Sequence, residues 1–353
     1  MVDVGGVVFN ATTRQLYAAN VLCRTASKIT VRLGQFRALA WHELELGLRG
    51  LPWETVLRRD TPVRLRITSH ASGLYHEDAI ADRVFPVLDR LIGGIRSPTD
   101  SDDDQDVQEF VIRFARDVVT IAADASGVLL HRRGYRQAVA KAPLRETLAA
   151  AMVLGLEWTG ETPLIDPCCG SGTVAIEAAM VARDIAPGLE RPFAFERWPS
   201  FEGGTMASVR GAARAQMRPS VAAPILASDR DAGAIDAARA NAERAGVAAD
   251  ITFTRQAVSA IAPPAGHERG LILTNPPYGA RVGAASAEAD LRDLYAVLGR
   301  VSRASFPGWT VAWLGADPQL DRQLGLNERE VWRTTNGGIP IRLLAAPVRE
   351  RAV

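Results

Sequence analysis

The chain of 353 residues is too long for one small core, so two or three domains are expected, and 47% hydrophobic with 23% charged residues is the profile of a soluble globular protein. A net charge of +1 speaks neither for nor against nucleic acid, no apolar run of about 18 residues argues for a membrane span, and the N-terminus lacks the features of a secretory signal. Three cysteines, two of them adjacent, make neither a disulfide framework nor a spaced zinc site, which fits a reducing cytoplasm and no metal.

In chain order, Val4–Phe9 and Ile29–Leu33 alternate like strands, and Leu16–Ala26 and Phe36–Leu46 have helical spacing. Val63–Ser69 reads as a strand and Glu77–Ile92 as an amphipathic helix. Asp100–Glu109 is too acidic to fold alone and reads as a solvated loop. Phe110–Phe114 and Val118–Ala122 form a predicted hairpin. Residues 1–150 hold 20 Lys+Arg and 18 Asp+Glu, six of the acids lying within Asp100–Glu109; without that run the balance is 20 to 12, or +8. Nearly all the bases are Arg, which suits bidentate phosphate contacts. His131-Arg132-Arg133-Gly134-Tyr135-Arg136 then reads either as a solvated hinge or as a phosphate-contacting segment.

From about Ala138 strands alternate with helices, which predicts a doubly wound sheet. Pro163-Leu164-Ile165 is a buried strand running into Asp166-Pro167-Cys168-Cys169-Gly170-Ser171-Gly172-Thr173, and a helix follows from Thr173 to about Arg183. Ile185–Val221 reads as a long, turn-rich loop with aromatic and basic residues. Ile225–Ser228 is the next strand, with Asp229 at its tip and a helix over Ala232–Ala245. Ile251–Arg255 is another strand. Gly270-Leu271-Ile272-Leu273 then runs into Thr274-Asn275-Pro276-Pro277-Tyr278-Gly279. A helix over Asp290–Ala304 and a strand over Thr310–Leu314 follow. Asn336-Gly337-Gly338 is a tight-turn signal joining Glu330–Thr335 to Ile339–Ala345.

Two stretches therefore end strands, where open α/β sheets bind ligands. In the first, glycines permit a tight turn and close approach of a ligand, and the following helix points its amides there. Gly170-x-Gly172-x-x-Ala175 also matches a dinucleotide fingerprint, but a nicotinamide-dependent oxidoreductase would leave Asn275–Tyr278 unexplained and needs an acid about twenty residues further on. In the second stretch a polar Asn sits beside two prolines that fix the backbone, followed by an aromatic ring. That combination suits a planar, amino-bearing base. The Asn275 side-chain oxygen and the Pro276 carbonyl can accept hydrogen bonds from its two amino N–H groups, and Tyr278 offers a stacking face. Asp229 is a candidate acceptor for both ribose hydroxyls of a nucleoside cofactor, or an N-cap for the next helix, or both. Cys168 and Cys169 lack a basic neighbour and read as packing residues; His131 lacks partners at metal spacing.

Asn275-Pro276-Pro277-Tyr278 resembles the motif of S-adenosylmethionine-dependent methyltransferases that modify exocyclic amino groups. Together with Leu130–Arg136 and Ile185–Val221, it resembles THUMP-domain RNA guanine-N2 methyltransferases, and among them the bacterial large-subunit (23S) rRNA group. The resemblance covers nearly the whole chain. It implies a partial ferredoxin-like domain over 1–50 lacking its opening strand and helix, a THUMP-like RNA-binding domain over 51–136, and a Rossmann-like class I methyltransferase domain over 137–353. The last would have seven strands, the final one antiparallel.

The resemblance also implies S-adenosylmethionine held by Thr147, Asp166, Cys168, Gly170, Ser171, Gly172, Thr173, Asp229, Arg230, Gln256, Ala257 and Asn275. Catalysis would fall to Asn275, Pro276, Pro277 and Tyr278, and RNA contact to His131, Arg132, Arg133, Tyr135 and Arg136. The family places an acid after the third strand for the adenine amino group; here that position is Ala257, and Gln256 or a backbone carbonyl would have to substitute. The expected partner is rRNA or tRNA, acted on by a monomer. Adenine-N6 methylation of RNA or DNA, and an RNA-binding protein with impaired catalysis, stay open as alternatives.

Overall fold

A computed structural model describes residues 2–3, 6–103, 106–137, 144–278 and 285–349. Two compact units form: Met1–Leu130 with Gly188–Ala212, and His131–Pro187 with Ala213–Val353. The first contains β1 (Val2–Asp3), β2 (Gly6–Val7), α1 (Thr13–Leu22), β3 (Thr30–Arg37), α2 (Trp41–Arg49), β4 (Val63–His70), α3 (Glu77–Ile92), β5 (Gln108–Ala115) and β6 (Val118–Asp124). Its sheet has the order β3-β6-β5-β4, with β4 and β5 parallel and the other pairs antiparallel. One face is apolar by strict alternation: Phe110, Ile112 and Phe114 of β5, and Val119, Ile121 and Ala123 of β6, are all buried. Leu44 and Leu48 of α2 and Ile80, Val84, Val87 and Leu88 of α3 complete that core.

Local chemistry moves two helix starts away from their periodicity. The helix expected over Leu16–Ala26 begins earlier because Thr12 and Gln15 form a reciprocal capping box ahead of Thr13. The helix expected from Phe36 begins at Trp41: Phe36 pairs with Val119 in the sheet, and the Glu43 carboxylate accepts from the Leu39 and Ala40 amides at 2.7 and 3.1 Å. The acidic stretch is not wholly solvated either. Asp102 pairs with Arg96 at 2.7 Å, and Glu109 lies in β5 and pairs with Lys28 at 2.7 Å.

The structure also draws the domain boundaries differently from 50/51 and 136/137. Strand β3 falls within 1–50 yet pairs with β6, so 1–50 contributes to the same sheet as the rest of the unit. Nor is Ile185–Val221 a plain loop. It contains a short 3-10 turn, Ala194–Arg197, and a helix, α6 (Gly203–Gln216). Its aromatic residues close the core of the first unit. Phe195 stacks on Tyr17 with ring centres 4.4 Å apart, and the Trp198 indole donates to Gln108 at 2.7 Å. A Cβ at Gly188 would lie 2.6 Å from the Asn20 carbonyl oxygen, so this approach requires glycine.

The second unit contains α4 (Glu146–Gly155), β7 (Leu164–Asp166), α5 (Thr173–Ala182), β8 (Ile225–Asp229), α7 (Ala232–Arg244), β9 (Ile251–Arg255), β10 (Leu271–Thr274), α8 (Ala285–Ser305), β11 (Thr310–Gly315), α9 (Pro318–Gln323), β12 (Arg329–Asn336) and β13 (Ile339–Pro347). The sheet order is β12-β13-β11-β10-β7-β8-β9. Neighbours from β9 across to β11 are parallel, and β13 is antiparallel to both β11 and β12. Apolar clusters cover the sheet on both faces, as a doubly wound sheet requires. Gly337 and Gly338 both have positive φ, 58° and 85°, which is the two-residue turn a β12–β13 hairpin favours.

Candidate active site

Three neighbouring strand ends build the site. β7 and β10 run side by side, with Leu164 opposite Leu271 and Ile165 opposite Ile272, so the loops that follow them emerge together. β8 flanks β7 on the other side. The order reverses between β7 and β10, where an open sheet leaves a crevice.

Asp166 ends β7 and is only 1% exposed. Its Oδ1 accepts from the Cys168 amide at 3.2 Å and from the Thr274 hydroxyl at 2.8 Å. Its Oδ2 is buried and has no partner among the described residues. Burial pushes this carboxyl up to about 7; the two hydrogen bonds pull it back in part, and nearby Asp229 raises it further. Through Thr274, the residue before Asn275, the strand end at β10 is tied directly to the glycine loop after β7.

Asp229 is placed as an acceptor rather than a cap. Its two oxygens accept from the Gly170 and Asp231 amides, each at 3.0 Å, while Asp231 caps α7 through Gly233 at 2.9 Å. The capping alternative therefore belongs to Asp231. The two loop glycines also separate in role. Gly170 has φ 51° and faces open space, where an added Cβ would meet nothing within 4 Å. Gly172 has φ 85° and packs on α7; an added Cβ would lie 3.0 Å from the Ala238 Cβ. Only Gly170 leaves room for a ligand's close approach. Asn241, wholly buried on α7, donates to the Ser171 carbonyl at 3.0 Å and steadies the loop. One polar side chain within an otherwise alanine-rich buried helix face was the sequence signal for it.

Thr173 opens α5 and Thr147 lies in the first turn of α4, both buried. Cys168 is half-buried and Cys169 buried, and burial pushes both thiols well up, so neither is a nucleophile. Gln256 is half-buried and its amide donates to the Asp229 carbonyl at 3.0 Å; Arg230 and Ala257 are exposed. Asn275 is half-buried, with its Oδ1 buried and without a partner among the described residues. Pro276 is buried and Pro277 exposed. The Pro277 carbonyl accepts from Tyr295 of α8, and the Tyr278 hydroxyl from Asn336, each at 3.5 Å. Gly279 lies outside the described residues.

Within the segment His131–Arg136, expected to contact phosphate, three side chains pair inside the protein. Arg133 is 2% exposed in its side chain and pairs with fully buried Glu177 at 3.4 Å, and the Tyr135 hydroxyl donates to the same carboxylate at 3.1 Å. Arg136 donates to the Leu144 carbonyl at 2.7 Å and to Glu146 at 2.9 Å. Arg133, Tyr135 and Arg136 thus anchor the chain to α5 and α4. His131 is brought down to about 4, first by burial and then by Arg145 and Arg132, so it is neutral at pH 7. Arg132 alone of the five is exposed. Glu177 escaped sequence reasoning, although a single acid inside the apolar helix Thr173–Ala182 pointed to a buried partner. Among the described residues no three His, Cys, Asp or Glu side chains group to hold a metal.

A mostly parallel seven-stranded sheet with an antiparallel strand next to its edge, and a glycine loop beside an Asn-Pro-Pro-Tyr loop, define a class I methyltransferase domain. Residues 133–344 match the family described as RMKL-like, methyltransferase domain, and the chain belongs to that family. It is 36% identical over 348 residues to the ribosomal RNA large subunit methyltransferase K/L of Psychromonas ingrahamii; the match covers 95% of the chain but 45% of that protein's length. It is 32% identical to a Synechocystis protein provisionally named as an RNA methyltransferase, covering 97% of the chain and 88% of that protein. Among solved structures, SMU.472, assigned as a methyltransferase and solved with S-adenosylhomocysteine, has a TM-score of 0.81 and 27% identity, covering 96% of the chain and 88% of SMU.472.

Proposed function

We propose that the chain is an S-adenosylmethionine-dependent RNA methyltransferase that modifies the exocyclic N2 of guanine, with 23S rRNA as substrate. The observation that carries the reading is the buried Oδ1 of Asn275, without a partner among the described residues, beside two prolines at the end of β10. Leaving such an oxygen unsatisfied costs about 1–3 kcal/mol, which a donor such as a base amino group would recover. The residues present also fit the cofactor. Gly170 leaves space for close approach, and Asp166 Oδ2 is a buried acceptor without a partner among the described residues. Asp229 stands at the β8 tip in reach of the glycine loop. The names of the relatives support RNA, and large-subunit rRNA in particular.

When bound, S-adenosylmethionine supplies an electrophilic methyl group on a sulfonium, so the protein need not activate the donor. Asn275 Oδ1 and the Pro276 carbonyl accept hydrogen bonds from the two amino N–H groups and pull the nitrogen toward tetrahedral geometry. Pro276 and Pro277 hold these acceptors in place before the base arrives. The Tyr278 ring, half-buried and tied to Asn336, offers a stacking surface for an extruded base.

Asn275→Ala should lower turnover on the order of a hundredfold while cofactor affinity changes much less. Single-turnover methylation with purified rRNA, alongside calorimetry with S-adenosylhomocysteine, separates the two. Nucleoside mass spectrometry of the product names the base: N2-methylguanosine is expected. N6-methyladenosine would move the reading to adenine, because the same acceptor pair suits either amino group. No methylation of rRNA or tRNA, with RNA binding intact, would leave an RNA-binding protein with impaired catalysis.

A further inference from the structure

The sheet of the N-terminal unit has one face buried under α2 and α3, and the other is studded with arginine. On β4, Val63 and Ile67 are buried while Arg64, Arg66 and Thr68 are exposed; on β5, Ile112 and Phe114 are buried and Arg113 is exposed. On β3, Arg32, Gln35 and Arg37 are exposed. The register puts these side chains on one face. Arg32, Gln35 and Arg37 stand opposite Ala122, Thr120 and Val118, which are the residues of β6 that alternate with its buried set. Arg113 stands between Thr120 and Thr68, and Arg66 opposite Val111.

Five arginines therefore share this face, with charges on both edge strands and on one central strand. The edges lie about 14 Å apart at the usual strand spacing. The other central strand offers Val118, Thr120 and Ala122, an uncharged floor of small and medium side chains. The two acids on this face, Glu109 and Asp124, are both held by Lys28, at 2.7 and 3.0 Å, at one end of the sheet. Arg66 adds a longer contact to Glu109 at 3.5 Å. At the end bearing Arg37 and Arg113 none of the four strands contributes an acid, and Glu43 of α2 lies near enough to Arg37 to feel its charge.

We infer that this open sheet face docks the phosphate backbone of the substrate RNA. Guanidinium forks match phosphate oxygens in pairs, and charges spread over several strands suit a polyanion whose charges repeat along its length. Exposed Thr68 and Gln35 add hydrogen bonds for phosphate or ribose oxygens. The surface adds RNA affinity beyond the segment His131–Arg136, where Arg133, Tyr135 and Arg136 are engaged by Glu177, Leu144 and Glu146. The inference rests on the RNA methyltransferase reading above and names the surface that reading leaves open.

The test uses the full chain carrying Arg32→Glu, Arg37→Glu, Arg66→Glu and Arg113→Glu together, with a fluorescently labelled RNA hairpin as probe. Affinity should fall at least roughly tenfold, and the slope of log K against log salt should shrink by about 0.7–0.9 for each phosphate no longer neutralised. Binding of S-adenosylhomocysteine should be unchanged, which also shows that the variant folds. If the reversals prevent folding, four Arg→Gln changes give the same readouts. A control with Arg90, Arg300, Arg322 and Arg329 changed to Glu alters net charge equally while leaving the face intact. Equal weakening in the control, or wild-type affinity in the first variant, would overturn the assignment. So would a change in solution mass with RNA affinity intact, which would give the face to a second copy. If the wild-type chain binds neither this hairpin nor rRNA, the RNA reading itself fails.

Discussion

Asp166 shows how one side chain can serve two loops. Its Oδ1 is occupied by Thr274 and Cys168, which leaves Oδ2 as the acceptor aimed away from both. Thr274→Val keeps the shape and loses the hydroxyl, so the carboxylate should lose its orientation. The expected result is weaker cofactor binding and lower turnover, with Thr274→Ser restoring both; a valine variant with wild-type kinetics would rule out the link. The titration of Asp166 adds a pH dependence. Its folded value, about 7, is above that of an unfolded aspartate, so the folded chain holds an extra proton between about pH 4 and 7. Stability from this group is therefore present at low pH and is lost as pH rises through 7. A ligand cation that requires the carboxylate should bind more weakly as pH falls below 7, with proton release on binding, and Asp166→Asn should abolish that dependence; calorimetry in two buffers measures it. The sequence marks Asp166, Asp229 and Asn275 as candidates, and the structure brings their strand ends together, because a strand end plus glycine or proline has few other uses. It could not show that Arg133 faces inward, since nothing in a basic run tells a buried ion pair from a phosphate contact.

At the scale of elements, the loop between β7 and α5 depends on two glycines for different reasons. Gly172→Ala combines a left-handed φ with a contact 3.0 Å from Ala238, so it should destabilise the chain by about 1–3 kcal/mol in urea unfolding. Gly170→Ala meets open space and should cost only the φ penalty, about 1 kcal/mol, while weakening the cofactor. The opposite order of stabilities would contradict the packing of α5 on α7. Helix α3 and strand β9 fall on their expected bounds because one face of each is apolar at its own period. α6 escaped notice because Gly203 and Gly204 open it and glycine weakens any local helix signal. α1 and α2 shifted because caps, rather than apolar spacing, decide where a helix starts.

For the whole molecule, the placement of Gly188–Ala212 in the first unit changes what a truncation can mean. A chain starting near Ala138 would retain Phe193, Phe195 and Trp198 but lose Tyr17 and Gln108, against which Phe195 and Trp198 pack and bond. That fragment should expose a hydrophobic patch, aggregate in light scattering, and recover solubility when 188–212 is replaced by a short polar linker. The relinked fragment should keep cofactor affinity yet methylate RNA poorly, because the open arginine face is gone. Methylation as efficient as that of the full chain would refute this division of labour.

The same placement bears on how the chain is made. As it leaves the ribosome, the first unit cannot close its core when Leu130 emerges, because Phe193, Phe195 and Trp198 have not yet been synthesised. At translation speeds of about 5–20 residues per second, the sheet waits roughly 3–14 s for them. During that wait Tyr17 and the ring edge of the core are open to solvent, and the methyltransferase sheet is only begun. The nascent N-terminal unit is thus an incomplete client for chaperones until the segment that follows α5 arrives.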